Sequence, residues 1–364
     1  VNVGASPFHV DKPQLRRRLV TAVAKRVRAP VAYCNQVGGQ DELLFDGDSC
    51  LVDADGNLLA AAPRWQASLV IGELGTPIAQ PPVPEVIADL YHGLSLGIAD
   101  YCRKTRQTGV VLGLSGGIDS ALVAALATDA LGAENVTGLL MPGPYSSPGS
   151  LTDAEALARA LGIAHHTLPI SELNHVALRE LAPLFAGRAS GVAEENLQSR
   201  LRGTLVMAAA NKFGAMALTT GNKSELATGY CTIYGDMNGG LAPLGDVYKT
   251  LVWELSRWVN KAGGGERIPP ASINKVPSAE LRENQTDQDS LPPYAVLDRI
   301  LHRYLEEEVS LEQLIAAGEE AETARRIVHL VESSEFKRRQ SAPVLRITSK
   351  AFGVGRRLPI ARAW

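Results

Sequence analysis

Val110-Val111-Leu112-Gly113-Leu114-Ser115-Gly116-Gly117-Ile118-Asp119-Ser120 is the stretch that decides the fold. Branched and aliphatic residues precede the glycines, and Ile118, Leu122 and Leu126 recur behind them at helical spacing, so the reading is buried strand, glycine turn, helix. Gly116 and Gly117 allow positive φ and a close backbone approach to a ligand, and the positive end of the new helix faces the turn. Ser115 and Ser120 add hydroxyls, while Asp119 places a carboxylate where a phosphate-bound magnesium can be held. The expected product is a phosphate cradle.

Working outward, the order of elements is alternating. A helix is expected over 85–103, strands over 136–141, 165–170 and 215–220, and helices over 151–161, 172–184 and 194–213. Thr152 and Glu155 form a capping-box pattern that places the start of one helix at Leu151. Strands separated by helices imply right-handed crossovers and a parallel sheet with helices on both faces. Ligands then bind beyond the carboxyl ends of the strands, where Ser115 and Thr220 fall. A closing helical region is expected over 311–331.

The spacing around the turn fits neither G-x-x-x-x-G-K-[ST] nor G-x-G-x-x-G, but it fits S-G-G-x-D-S. That motif resembles the PP-loop of the ATP pyrophosphatases, a Rossmann-like adenine nucleotide alpha hydrolase fold whose members split ATP into AMP and pyrophosphate. Two further runs narrow the resemblance: Glu194-Glu195-Asn196-Leu197-Gln198-Ser199-Arg200-Leu201-Arg202, and the polar stretch from Thr219 to Asp236. Together with the glycine turn they resemble the synthetase domain of the NAD synthetases, over residues 85–364.

That resemblance implies ATP-dependent amidation of deamido-NAD through an adenylated carboxyl. ATP would be held by Gly113, Leu114, Ser115, Gly116, Gly117, Ile118, Asp119 and Ser120, with Thr220 and Lys249; Ser115, Asp119 and Lys249 would act in catalysis. Asp119 and Glu225 would hold Mg2+. Deamido-NAD would meet Asn196, Arg200, Glu225, Tyr230, Asp236 and Lys337. Arg200 lies four residues after Asn196, which puts both on one helix face. Ammonia-only relatives tend to carry Lys where Ile233 stands here, a departure that favours the glutamine-dependent branch. Loops 145–150 and 274–291 are expected to close over the adenylate.

The first 75 residues read as an incomplete α/β piece: a helix over 15–27 with a basic, solvated face of Arg16, Arg17, Arg18, Lys25, Arg26 and Arg28, strands over 31–34 and 49–52, and a tight turn at 53–57. Residues 2–8 and 33–47 resemble the tail of a nitrilase-like glutaminase domain. Its nucleophilic Cys is expected upstream of Val1. Cys34 and Cys50, in strand-like apolar runs, are expected to be small buried thiols. The chain opens without Met, so a fragment or processed product that depends on ammonia is expected. Residues 76–84, with four prolines, read as a linker.

Composition sets the outer limits. Of 364 residues 45% are hydrophobic, and the formal net charge is −3, so no basic excess exists to bind nucleic acid. No apolar run approaches the roughly 20 residues that span a bilayer. Four scattered cysteines without a C-x-x-C pair argue against zinc, iron–sulfur clusters and a disulfide framework, and for the cytoplasm. The family resemblance adds a homo-oligomer. Other PP-loop amidators, a PP-loop tRNA-thiolating enzyme and a nucleotide-binding regulatory module are the alternatives. The absence of paired reactive cysteines and of a basic surface weighs against the second, and retention of both Asp119 and Glu225 against the third.

Overall fold

The computed structural model describes residues 1–82 and 84–361, so Val83 in the expected linker and the last three residues of the chain lie outside it. The N-terminal part holds β1 (Asn2–Gly4), α1 (Lys12–Val27), β2 (Val31–Asn35), β3 (Val37–Gln40), β4 (Leu43–Asp46), β5 (Cys50–Val52) and β6 (Leu58–Ala61). Its sheet runs β1-β2-β5-β6, with β1 and β2 parallel and the other pairs antiparallel. Helix α1 covers it through Val20 and Ala24, packed on Cys50, Val52 and Leu58. The turn at 53–57 forms as expected, because the Asp53 carboxylate accepts from the backbone N–H of Asp55 and Asn57.

Two expectations for this part are corrected. Arg16 does not belong to a solvated face: it is buried, and its guanidinium donates to Asp46, which Arg64 also reaches at 3.0 Å. The N-terminal turns of α1 meet the loop after β4, so the basic face is solvated only in part. Cys34 is exposed; Cys50 is buried, and burial raises its thiol pKa.

The second part opens with α2 (Val86–Thr105), then alternates β7 (Val110–Gly113), α3 (Ile118–Leu131), β8 (Val136–Leu140), α4 (Pro148–Leu161), β9 (Ala164–Thr167), α5 (Ser171–Phe185), α6 (Val192–Phe213) and β10 (Met216–Ala217). The sheet is parallel throughout, in the order β10-β7-β8-β9. The order reverses at β7, so the crevice for a ligand opens at the carboxyl end of that strand. This is the Rossmann-like α/β architecture expected. Helix α3 carries nothing polar on most of its circumference: Ala121 to Ala127 are wholly buried between the sheet, α2 and α4.

Local readings shift in three places. Helix α4 starts at Pro148, not Leu151, because the Ser147 hydroxyl accepts from Ser150 N–H and proline suits the first turn. Thr152 instead bonds back to the Pro148 carbonyl. Strands β9 and β10 are shorter than expected, ending at Thr167 and Ala217. The closing region divides into α11 (Leu311–Ala316) and α12 (Ala321–Ser333), parted by Gly318 at φ 96°. The helices α7 (Lys223–Thr228), α8 (Lys249–Ala262), α9 (Pro270–Asn274), α10 (Tyr294–Leu305) and, after α12, α13 (Glu335–Arg338) complete the chain. Among the described residues, no helix is long and apolar enough to cross a membrane.

The two parts share one core. Hairpin β3–β4 lies flat on α2, where a Cβ on Gly39 would stand 3.3 Å from the Gly97 Cα, and Asp100 accepts from Gly39 N–H at 2.9 Å. Phe8 and Leu44 bury themselves with Leu90, Leu94 and Ile98 of α2.

A second fixed point is Lys223. Its side chain is fully buried, donating to Asp246 at 2.9 Å, Glu306 at 3.0 Å and Thr348 at 2.7 Å. Removing one partner of such a buried group leaves uncompensated charge. Lys223→Met is therefore expected to lower unfolding free energy by about 3–5 kcal/mol; chemical denaturation checks it, and a loss below about 1 kcal/mol, the scale of an exposed pair, would contradict the role.

Candidate active site

The turn after β7 is built by its own hydroxyls. Ser120 Oγ donates to the Gly117 carbonyl at 3.0 Å and accepts from Ser115 N–H at 3.3 Å, and Ser115 Oγ accepts from Gly117 N–H at 3.2 Å. Gly116 holds φ 80°, and a Cβ there would lie 2.3 Å from the Ser150 carbonyl oxygen. Only glycine permits both. The turn thus presents the N-terminal end of α3 to open space with its backbone pinned from behind.

That space is a cavity of about 300 Å³. One wall is Gly113, Leu114, Ser115, Gly117, Ile118, Asp119 and Ser120; Gly116 stands behind, against Ser150. Thr220, Glu225 and Lys249 face this wall, and Tyr230 and Asp236 lie along the same cavity. Lys249 Nζ bonds Asp119 Oδ2 and stands 3.9 Å from Glu225 Oε1. Burial works against the ammonium, but Asp119 and Glu225 outweigh it and its pKa is raised. Burial and then the charge of Asp119 push the Glu225 carboxyl well above the usual range, and Lys249 offsets this only in part. The surrounding wall also raises Asp236, to about 6, although its side chain meets the solvent of the cavity.

The remaining residues read from the sequence meet a different surface. Asn196 accepts from the Thr232 hydroxyl at 2.7 Å, Arg200 donates to the Ile233 carbonyl at 3.2 Å, and Lys337 donates to the Gly229 and Cys231 carbonyls. All three brace the loop 229–236 from behind. Asp236 belongs to the same bracing, accepting from Thr232 N–H and Ser199 Oγ. The ammonium of Lys223, part of the polar run that drew attention in the sequence, points away into the pocket of Asp246 and Glu306.

Sequence reasoning missed four groups here. Arg202 lines the cavity with Nε bonded to the Met141 carbonyl, and burial lowers its pKa. Asn222 joins Asp119 to α7. Asp287, raised by burial, accepts from Tyr294 Oη at 2.7 Å beside the cavity. Glu280 accepts from the Ser147 and Ser150 hydroxyls, with Lys275 at 3.6 Å, so the two loops expected to close over the site clasp each other. The one available signal was the position of Asp287 and Glu280 in an over-long polar loop.

With this geometry in place, comparison with known proteins is decisive at the family level. The NAD synthase family model matches residues 90–341, and the carbon-nitrogen hydrolase model matches residues 9–77. The chain belongs to the NAD synthase family. It is 51% identical to a protein named glutamine-dependent NAD(+) synthetase from Synechocystis, over 100% of this chain and 66% of that protein. It is 50% identical to the one from Rhodobacter capsulatus, over 99% and 68%. Among solved structures, a glutamine-dependent NAD+ synthetase from Acinetobacter baumannii in complex with ADP matches with TM-score 0.73 and 41% identity, covering 99% of this chain and 68% of that one. The chain therefore spans about two thirds of the length of these relatives.

These matches overturn one expectation. The expected lack of a glutaminase and dependence on ammonia are not borne out: the whole chain aligns with glutamine-dependent NAD(+) synthetases, and residues 9–77 match the carbon-nitrogen hydrolase family. That N-terminal part packs into the core of α2 as an integral layer. The first residue is no ground for an ammonia-only enzyme.

Gly116→Ala is expected to open the turn, since the new methyl group meets Ser150 and forces an unfavourable positive φ. Calorimetric titration with ATP should show affinity reduced about tenfold or more, the effect of roughly 1–3 kcal/mol of strain. Unchanged affinity would mean that the turn does not hold the nucleotide.

Proposed function

We propose that this chain converts deamido-NAD to NAD with ATP, releasing AMP and pyrophosphate, and that the nitrogen comes from glutamine. The observation that carries this reading is the single cavity that joins the glycine turn, the Asp119–Glu225–Lys249 cluster and the loop bearing Tyr230 and Asp236.

A carboxylate is a poor acyl donor, so it must be activated. Its oxygen attacks the α-phosphorus of ATP and pyrophosphate leaves, giving a mixed anhydride with AMP. The nitrogen of ammonia then adds to the acyl carbon, AMP departs with the bridging oxygen, and a proton lost to solvent leaves the neutral carboxamide. Ser115 and the N–H groups that open α3 donate to phosphate oxygens. Thr220 contacts the nucleotide. The Lys249 ammonium, kept charged by its two carboxylates, stabilises charge on the departing pyrophosphate.

The residues present fit a magnesium ion. Asp119 and Glu225 offer hard oxygen donors, and their mutual repulsion is the kind a cation relieves. Asp119 and Glu225 would hold such an ion beside the ATP phosphates. When bound, such an ion neutralises phosphate charge. Deamido-NAD is assigned to Glu225 of α7 and to Tyr230 and Asp236, the last two on a loop whose shape Asn196, Arg200 and Lys337 maintain. Loops 145–150 and 274–291, already clasped through Glu280, are the pieces that exclude water from the adenylate. Two domains, 1–75 and 85–364, and a homo-oligomeric state are part of the same reading.

The test is product analysis with ATP, Mg2+, deamido-NAD, glutamine and ammonium together. NAD, AMP and pyrophosphate are expected in equal amounts, with Lys249→Met lowering kcat at least about a hundredfold, the scale for loss of a preorganised charge at a transition state. Formation of ADP and phosphate instead, or no NAD from folded protein, would sink the proposal.

A further inference from the structure

Asn222 is fully buried at the head of α7, between two carboxylates that come from distant parts of the chain. Its Oδ1 accepts from Glu225 N–H at 3.1 Å, and its own backbone N–H donates to Glu225 Oε2 at 3.1 Å. Its Nδ2 donates to Asp119 Oδ1 at 2.9 Å. Because Oδ1 is committed to a backbone donor, the amide can present only its NH2 group to Asp119. The other Asp119 oxygen takes Lys249, so Asn222 and Lys249 between them fix the carboxylate plane. The residue itself cannot drift: Lys223 N–H bonds the Val247 carbonyl, and the Lys223 side chain is locked among Asp246, Glu306 and Thr348.

The amide does two separable things. As an N-cap it satisfies a helix donor, which serine does nearly as well. As a bridge it reaches Asp119, which the shorter serine side chain does not span while capping. A carboxylate at this place would add a third negative charge to Asp119 and Glu225.

We propose that Asn222 is a positioning residue that sets the spacing and direction of Asp119 and Glu225 for a divalent cation bound with the nucleotide phosphates. This rests on the function proposed above, and the amide itself touches neither substrate nor cation.

The test uses the whole chain and the variants Asn222→Ser and Asn222→Ala. Binding of Mn2+ in the presence of ADP is followed by the electron paramagnetic resonance signal of the free ion, beside thermal unfolding without metal. Asn222→Ser should keep more stability than Asn222→Ala, because the cap remains, yet bind Mn2+ about tenfold more weakly than the wild type, the expected effect of losing a hydrogen bond to a charged group. The Mg2+ concentration for half-maximal NAD formation should rise in step. Asn222→Ala should lose both stability and affinity. Mn2+ affinity within twofold of wild type in Asn222→Ser overturns the proposal, as does a loss of stability in Asn222→Ser equal to that in Asn222→Ala, which would assign the residue to the fold. A wild type that makes no NAD, but loses Mn2+ binding on Asn222→Ser, would sink the proposed reaction and leave the positioning role standing.

Discussion

Asp119 holds the two halves of the synthetase part together. It sits in the first turn of α3, where the backbone N–H groups favour a negative charge, and it draws in Lys249 from 130 residues and Asn222 from 103 residues further along the chain. The parallel pairing of β10 with β7 sets the glycine turn beside the polar run after β10, and the Asp119 contacts tie the two as walls of one cavity. The same place carries the electrostatic tension of the site, because burial and then the Asp119 charge raise Glu225, while Lys249 offsets this only in part.

This tension is sustained by rigid surroundings. Helix α3 is packed so completely that the start of its first turn cannot shift to separate the charges. On the other side, buried Lys223 anchors α7, and Asp246 in turn accepts from the backbone N–H groups of Ile347 and Thr348. The N-terminal part contributes through α2, which is gripped by hairpin β3–β4 on one face and packs on α3 with the other. A displacement of the hairpin is therefore two packing layers from the phosphate cradle.

What could be read from the sequence is what local pattern encodes. Strand β7, the glycine turn and α3 were legible because periodicity and glycine chemistry coincide within eleven residues. The long helix α6 was equally plain. Contacts made across the fold were not. Hairpin β3–β4 was missed because Gly38 and Gly39 carry no side chains to show a strand's alternation, and only the presence of α2 explains why strand residues there need none. Thr152 mimicked a cap that Ser147 supplies. Arg16 was assigned to water because Asp46, its buried partner, lies 30 residues away. In the candidate site, Asp119, Glu225, Tyr230, Asp236 and Lys249 converge on one cavity, whereas Asn196 accepts from the Thr232 hydroxyl of a neighbouring loop and Arg200 and Lys337 bond to that loop's backbone carbonyls. Such side-chain-to-carbonyl bonds leave no periodic trace.

The central claim is that the substrate carboxylate is activated on the α-phosphorus of ATP within this cavity. The most direct measurement labels both carboxylate oxygens of deamido-NAD with oxygen-18 and follows the label by mass spectrometry. The account predicts one labelled oxygen in AMP and the other in the NAD carboxamide. Label in inorganic phosphate, or AMP free of label while NAD forms, would contradict it.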